Sequence, residues 1–227
     1  MQIKKVFRQE RKFLISGEQY YRFSRQFAEL FKEDSHNGKD GYMVRSLYFD
    51  TLGNKDFEEK LAGVECRRKM RLRIYSPQSR TALLEMKQKQ GSNQLKRSLT
   101  ISREHAEELM KGHYEVLLEY SDPFATECYG VLKTNCYIPK VIVEYKRMAF
   151  VFKENDTRIT FDSNISASKL TGRFLEEYAG CFPGCVVMEV KYNNFLLAYI
   201  KNILQISNKS ETAVSKYALA RQAVFRF

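Results

Sequence analysis

Lys69-Met70-Arg71-Leu72-Arg73-Ile74 alternates cation and apolar side chain without a break. A β-strand sends successive side chains to opposite faces, so this stretch presents three cations on one side and three apolar groups on the other. Three further segments share its logic. Glu10-Arg11-Lys12, Glu85-Met86-Lys87 and Glu189-Val190-Lys191 each set a carboxylate two residues before an ammonium, on the same strand face. Strands that are apolar outside and charged inside suit a closed barrel whose lumen takes a polyanion and a metal ion.

Parity carried outward from these segments gives one charged face per strand. It comprises Arg8, Glu10 and Lys12 on the first strand, and Arg67, Lys69, Arg71 and Arg73 on the third. Glu85, Lys87 and Lys89 follow on the fourth, and Tyr145 and Arg147 on the sixth. Arg158, Thr160 and Asp162 lie on the seventh, and Glu189 and Lys191 on the eighth. Any one such face, taken alone, reads as the wet side of a half-buried sheet. The agreement of five or six strands weakens that reading, as does the dominance of Arg and Lys over Ser, Thr, Asn and Gln. Like charges about 4 Å apart repel by on the order of 4 kcal/mol at an effective dielectric near 20. Interspersed Glu residues relieve part of this repulsion, and a bound polyphosphate would relieve more.

The rest of the chain supplies the shell. A strand is expected over 6–15, and then a helix capped by Ser16 that runs to about Lys32, with Tyr20, Phe23, Phe27, Leu30 and Phe31 on its apolar side. A polar loop over 34–41, a strand over 42–50 and a short helix over 54–61 come next. Segments 66–75 and 80–89 form a hairpin around Ser76-Pro77-Gln78-Ser79. A short strand over 96–101 leads to a helix capped by Ser102 that ends near Gly112, and helical sequence over 115–133 is interrupted near Pro123. A second hairpin joins 140–152 to 156–162. The eighth strand covers 184–191, and helices are expected over 193–206 and 215–223. Eight mostly sequential strands with helices between them predict an α+β fold, an eight-stranded antiparallel β-barrel in a single domain over 1–227.

The chain has 227 residues and a formal net charge of +11, which points to an anionic partner. No apolar run approaches the roughly 20 residues of a membrane span, and no signal-type apolar core follows the basic N-terminus. The expectation is a cytoplasmic protein. The five cysteines (Cys66, Cys128, Cys136, Cys181 and Cys185) include no CxxC pair, and they read as reduced thiols. His36, His105 and His113 are not at metal-ligand spacing. There is no GxxxxGK[ST] or GxGxxG loop. Cations placed at alternate strand positions disfavour nucleic acid, which would want solvent-facing basic and aromatic patches.

The ordered set of motifs resembles the triphosphate tunnel metalloenzymes, a CYTH-like superfamily, and within it the VTC-type domain of polyphosphate polymerases. The ExK and RxR segments carry the likeness. So do Leu47-Tyr48-Phe49-Asp50-Thr51, Val143-Glu144-Tyr145-Lys146-Arg147, Arg158-Ile159-Thr160-Phe161-Asp162 and Ser215-Lys216-Tyr217. The resemblance implies a triphosphate tunnel and transfer of the ATP γ-phosphate to a growing polyphosphate chain, with a divalent metal, Mn2+ or Mg2+. Residue by residue, it implies that Lys12, Arg71, Arg73, Lys87, Arg147 and Arg158 hold the reacting phosphates. Lys69, Lys96, Tyr145, Lys191 and Lys216 would bind substrate. Glu189 would bind the metal, helped by Glu10 or Glu85. Hydrolysis of inorganic triphosphate and non-catalytic sensing of polyphosphate or a nucleotide are the competing readings. Whether a membrane-protein partner exists, and the oligomeric state, stay open at this stage.

Overall fold

The computed structural model describes residues 8–91, 93–169, 171–176, 186–205, 211 and 215–224. The expected strand residues 6–7 and 184–185, helix residue 206, Cys181 and Cys185 lie outside the described residues, as does the side chain of Arg8.

In chain order the elements are β1 (Arg8–Ile15), α1 (Gly17–Leu30), β2 (Lys32–Glu33), β3 (Tyr42–Thr51), α2 (Lys55–Leu61) and β4 (Arg67–Ile74). They continue with β5 (Thr81–Gln90), β6 (Asn93–Ser102), α3 (Arg103–Lys111), a 3-10 turn (Tyr114–Glu119), α4 (Pro123–Thr134) and β7 (Tyr137–Phe152). The last are β8 (Thr157–Ser168), β9 (Val186–Asn193), α5 (Ala198–Ile203) and α6 (Lys216–Val224). The fold is α+β, with an antiparallel sheet in the order β1-β9-β8-β7-β3-β4-β5-β6 and with β2 paired to β7.

Contacts divide the chain into two compact units. One comprises Met1–Met43, Tyr145–Ile165 and Cys181–Val214, and the other Val44–Glu144, Ser166–Gly180 and Ser215–Phe227. In the first unit, Phe13, Phe23, Phe27, Phe150, Phe161, Met188 and Val190 pack together on the apolar side of β1, β8 and β9 beneath α1. Ser16 and Gln19 close a reciprocal cap at the start of α1, each side chain accepting the other's backbone N–H at 3.1 Å. In the second unit, Met70, Leu72, Leu84 and Met86 from β4 and β5 meet Leu109, Leu117, Cys128 and Leu132 from the helical layer. Gly112 ends α3 with φ at +90°, a conformation that favours glycine. Asp122 caps α4, with Pro123 in the first turn.

The apolar stripe of α1 is narrower than its sequence suggests. Phe23 and Phe27 are buried, whereas Leu30, in the last turn, is largely exposed. β6 runs from 93 to 102, longer than the expected 96–101, because every residue of β5 from Thr81 to Gln90 finds a partner on it. Of the helix expected over 193–206, the described residues form α5 alone, and Asn193 belongs to β9, in register with Arg8. β2 is a two-residue strand that alternation could not reveal.

Candidate active site: two charged strand faces

In the first unit, β1 and β9 run antiparallel with Glu10 opposite Lys191 and Lys12 opposite Glu189. Two ExK segments read in opposite directions therefore place each carboxylate across from an ammonium. Lys191 Nζ lies 2.5 Å from Glu189 Oε1 and 3.8 Å from Glu10 Oε2. Lys12 Nζ pairs with Glu10 Oε1 and sits 3.7 Å from Glu189 Oε2. The four groups alternate in sign around a square. β8 extends the row, with Arg158 opposite Lys191 and Thr160 opposite Glu189.

Arg147 and Arg158 of this unit each have a carboxylate that aims them. Arg147 donates from Nε to Asp162 Oδ1 at 2.7 Å and from Nη2 to Asp162 Oδ2 at 2.9 Å. Asp162 is fully buried, and its bidentate grip fixes the plane of the guanidinium. Burial opposes the charge on Arg147, but Tyr145 and Asp162 outweigh it and hold its proton affinity well above the usual arginine value. The Tyr145 ring stands 5.2 Å from the guanidinium carbon. Arg158 Nη2 reaches Asp34 Oδ2 at 2.8 Å and donates to the Tyr42 hydroxyl at 3.2 Å. Burial works against the Asp34 carboxylate, yet the His36 backbone and ring, with Arg158, keep its pKa below the ordinary value.

In the second unit, Tyr48, Arg71, Glu85 and Ser98 stand side by side across β3, β4, β5 and β6. The neighbouring row is Lys69, Lys87 and Lys96, three ammonium groups directly abreast. Like charges in that position repel and destabilise a sheet. Glu85, which is 2 % exposed, is the counter-charge. It accepts from Arg71 Nε at 2.7 Å, lies 3.7 Å from Arg73 Nη1 and pairs with Lys96. Burial would raise its pKa, but Arg71, Arg73 and Lys96 drive it down to about 2. Arg73 also donates to Ser46 Oγ at 3.2 Å.

The Tyr48 hydroxyl accepts from Arg71 Nη1 at 3.0 Å. Burial raises its pKa, but Arg71, Lys69 and Arg73 bring the phenol down to about 8. Lys69 Nζ donates to Ser215 Oγ at 3.1 Å and lies over the rings of Tyr48 and Tyr217. Tyr217 packs 5.0 Å from Tyr48 and donates to Asp50 Oδ2 at 2.5 Å. Asp50 in turn accepts the backbone N–H groups of Asp56 and Phe57 at the start of α2. The Tyr-Phe-Asp-Thr and Ser-Lys-Tyr segments are thus two halves of one contact, made across 167 positions of sequence. Lys216 opens α6 beside Tyr217 and is half-buried.

The first unit therefore gathers Glu10, Lys12, Tyr145, Arg147, Arg158, Glu189 and Lys191. The second gathers Lys69, Arg71, Arg73, Glu85, Lys87 and Lys96, with Lys216 at the start of α6. Sequence parity missed Tyr48, because β3 is buried on both sides from Val44 to Asp50 and shows no alternation. It also missed Asp34, which sits in a loop. Arg45 goes the other way. This buried cation lies in register with Ile74, off the charged face, and is tied to Glu144 at 2.5 Å and to the carbonyl of Phe174 at 2.9 Å.

The VTC domain family model matches residues 7–225. The chain belongs to the VTC domain family. Comparison with curated proteins finds no match. Among solved structures, a putative adenylyl cyclase from Hippeastrum, described as having a dominant triphosphatase activity, aligns with a TM-score of 0.56 and 15% identity over 97% of each chain. A putative adenylate cyclase from Bacillus halodurans aligns with a TM-score of 0.53 and 16% identity over 91% of this chain and 92% of its own. At that identity the likeness concerns the fold, and it is the CYTH-like triphosphate tunnel fold that the motif order led us to expect. The strand faces of this VTC domain present guanidinium and ammonium groups in rows, a surface able to take up oxyanions. Among the described residues no group of three or more His, Cys, Asp or Glu side chains is placed to hold a metal by itself.

Proposed function

We propose that this VTC domain is a metal-dependent polyphosphate polymerase that transfers the γ-phosphate of ATP to the end of a polyphosphate chain. The observation that carries the reading is the row of three lysines abreast on β4, β5 and β6, beside Arg71 and Arg73, with the buried Glu85 shared by both arginines and by Lys96 of that row. An array of cations so closely spaced suits a ligand of closely spaced negative charges.

Phosphoryl transfer asks for in-line positioning and charge neutralisation more than for a protein nucleophile. A terminal oxygen of the acceptor chain attacks the γ-phosphorus, the bond to the β–γ bridging oxygen breaks, and ADP leaves with that electron pair. Arg71 and Arg73 would clamp phosphate oxygens with paired donors, while Lys69, Lys87, Lys96 and Lys216 would act as point charges. Lys12, Arg147, Arg158 and Lys191 would do the same on the first unit's face, with Tyr145 donating a hydrogen bond. Glu189 and Glu10 offer hard carboxylate oxygens from neighbouring strands, a donor type that fits Mn2+ or Mg2+, with phosphate oxygens completing the shell. When bound there, the ion supplies charge neutralisation at the phosphate oxygens. Glu85, already engaged by three cations, serves in this reading as their counter-ion.

Incubation of the protein with ATP and Mn2+, following ADP and phosphate chain length together, tests the proposal. ADP with long-chain polyphosphate is expected, and Arg71→Ala should abolish it while the fold survives. ADP with orthophosphate, or inorganic triphosphate cleaved to pyrophosphate and phosphate, would replace the polymerase by a hydrolase that uses water as acceptor. Tight polyphosphate binding without turnover would make the protein a sensor.

A further inference from the structure

The second unit carries a cavity of about 560 Å³ that the phosphoryl-transfer reading does not use. Arg68 and Gln88, two of its lining residues, face each other in register and share the side of Met70 and Met86, the reverse of the face bearing Arg71 and Glu85. Asp56 lines it too and is only 2 % exposed. Its Oδ1 accepts from the Tyr137 hydroxyl at 2.8 Å, and its Oδ2 is buried with no hydrogen-bond partner. Burial, with the charges of Asp50 and Glu59, pushes this carboxyl up to about 7. A buried carboxyl with an idle oxygen is a standing cost, of the kind found where a ligand is meant to complete the set. Arg68 and Lys89 line the same cavity, and among the described residues neither has a carboxylate at ion-pair distance.

We propose that this cavity binds a nucleoside phosphate, at a site that lies mainly on the reverse of the second unit's charged face and meets that face at the Arg67–Lys89 pair. The charges set the ligand's orientation. Asp56 repels phosphate and calls for a hydroxyl or amine donor, so the nucleoside must lie against it. Arg68 and Lys89 then take the phosphate. Asn93 and Gln94, which line the same cavity, supply amide donors and acceptors of the kind that read base edges. Orthophosphate alone would neither fill the volume nor use Asp56, and a metal ion would meet the repulsion of Arg68 and Lys89. The size falls within the range of small-molecule sites, roughly 300–1,000 Å³.

Calorimetric titration with AMP tests this, with tripolyphosphate as the reference ligand for the strand faces. One saturable AMP site is expected, weakened about tenfold or more by Arg68→Ala and by Asp56→Asn, and unchanged by Arg71→Ala. Tripolyphosphate binding should show the reverse pattern, so the two readings fail separately. Asp56→Asn removes a buried charge and should fold, and Arg68→Ala changes a half-buried residue at the rim. Absence of AMP binding at millimolar concentration overturns the proposal. Binding indifferent to both cavity variants, or displaced equally well by inorganic phosphate, overturns it too.

Discussion

Replacing Glu85 by Gln keeps the side chain's size and removes a buried negative charge shared by Arg71, Arg73 and Lys96. The carboxyl falls from a reference of 4.5 to about 2 in the folded chain. Held that far below its ordinary value, the carboxylate contributes roughly 3 kcal/mol of folding stability at neutral pH. The sign follows from the direction of the shift. A depressed carboxyl stabilises the fold above its unfolded pKa of about 4.5 and loses that contribution as pH falls toward about 2. Glu85→Gln should therefore lower stability by about 3 kcal/mol at pH 7, a fall in Tm on the order of 10 °C for a chain of this size. By pH 3 less than roughly half of the difference should remain. Adding tripolyphosphate at pH 7 should narrow it as well, because the ligand takes over the counter-charge. Urea unfolding of both proteins from pH 7 to pH 3, with and without tripolyphosphate, reads all three effects. A variant as stable as the wild type at pH 7, or a loss that stays constant down to pH 3, would refute the argument that Glu85 holds the cation row together.

Further outcomes can be checked with the same preparations. Tyr217→Phe removes the donor to Asp50 and should cost about 1–3 kcal/mol in urea unfolding, since the hydroxyl is buried and its acceptor carries α2. Gly41→Ala would put a Cβ 2.4 Å from the Arg147 carbonyl oxygen at a φ of +85°, whereas Gly53→Ala meets nothing within 4 Å; only the first should lower Tm appreciably. For Asp56 the carboxyl is raised, so the wild type loses stability as pH climbs from about 4 through about 7. Asp56→Asn should then gain on it by on the order of 2–4 kcal/mol at pH 8 and by little at pH 4. Burial, reinforced by Glu127, pushes the Cys128 thiol up to about 12, so iodoacetamide and mass spectrometry on the native protein should find Cys66 and Cys136 alkylated and Cys128 protected.

Alternation made β1, β4, β5, β8 and β9 legible, because a strand with one apolar face writes its period into the sequence. The helix starts at Ser16 and Ser102 were legible for a similarly local reason, since the capping side chains sit at the helix start; the helical stretch expected over 115–133 with an interruption near Pro123 divides there into a 3-10 turn and α4, which Asp122 caps. β3 was readable as a strand but not as part of the charged face. Tyr48 is flanked by buried Leu47 and Phe49, and only its register with Arg71 reveals its side. Leu30 had the right spacing for the α1 stripe and still ended exposed, because α1 stops at that residue and the chain leaves in an extended conformation at Phe31.

By itself the sequence determined which side chains share a strand face, and therefore that cations and carboxylates would be held away from the apolar layer. That information is local, since a period of two needs only the neighbouring residues. Within the first and last ExK segments each lysine pairs with its own glutamate two residues away, and tertiary structure decided which charges answer one another between elements. Lys12 meets Glu189, Arg147 meets Asp162, Arg158 meets Asp34, and Asp50 joins Tyr217 to the start of α2. Register and long-range packing set those pairings, and a shift of one residue would turn every charged side chain to the opposite face. The same holds for Asp56, unremarkable in its helix and unusual only once Tyr137 and the reverse face of the sheet close around it.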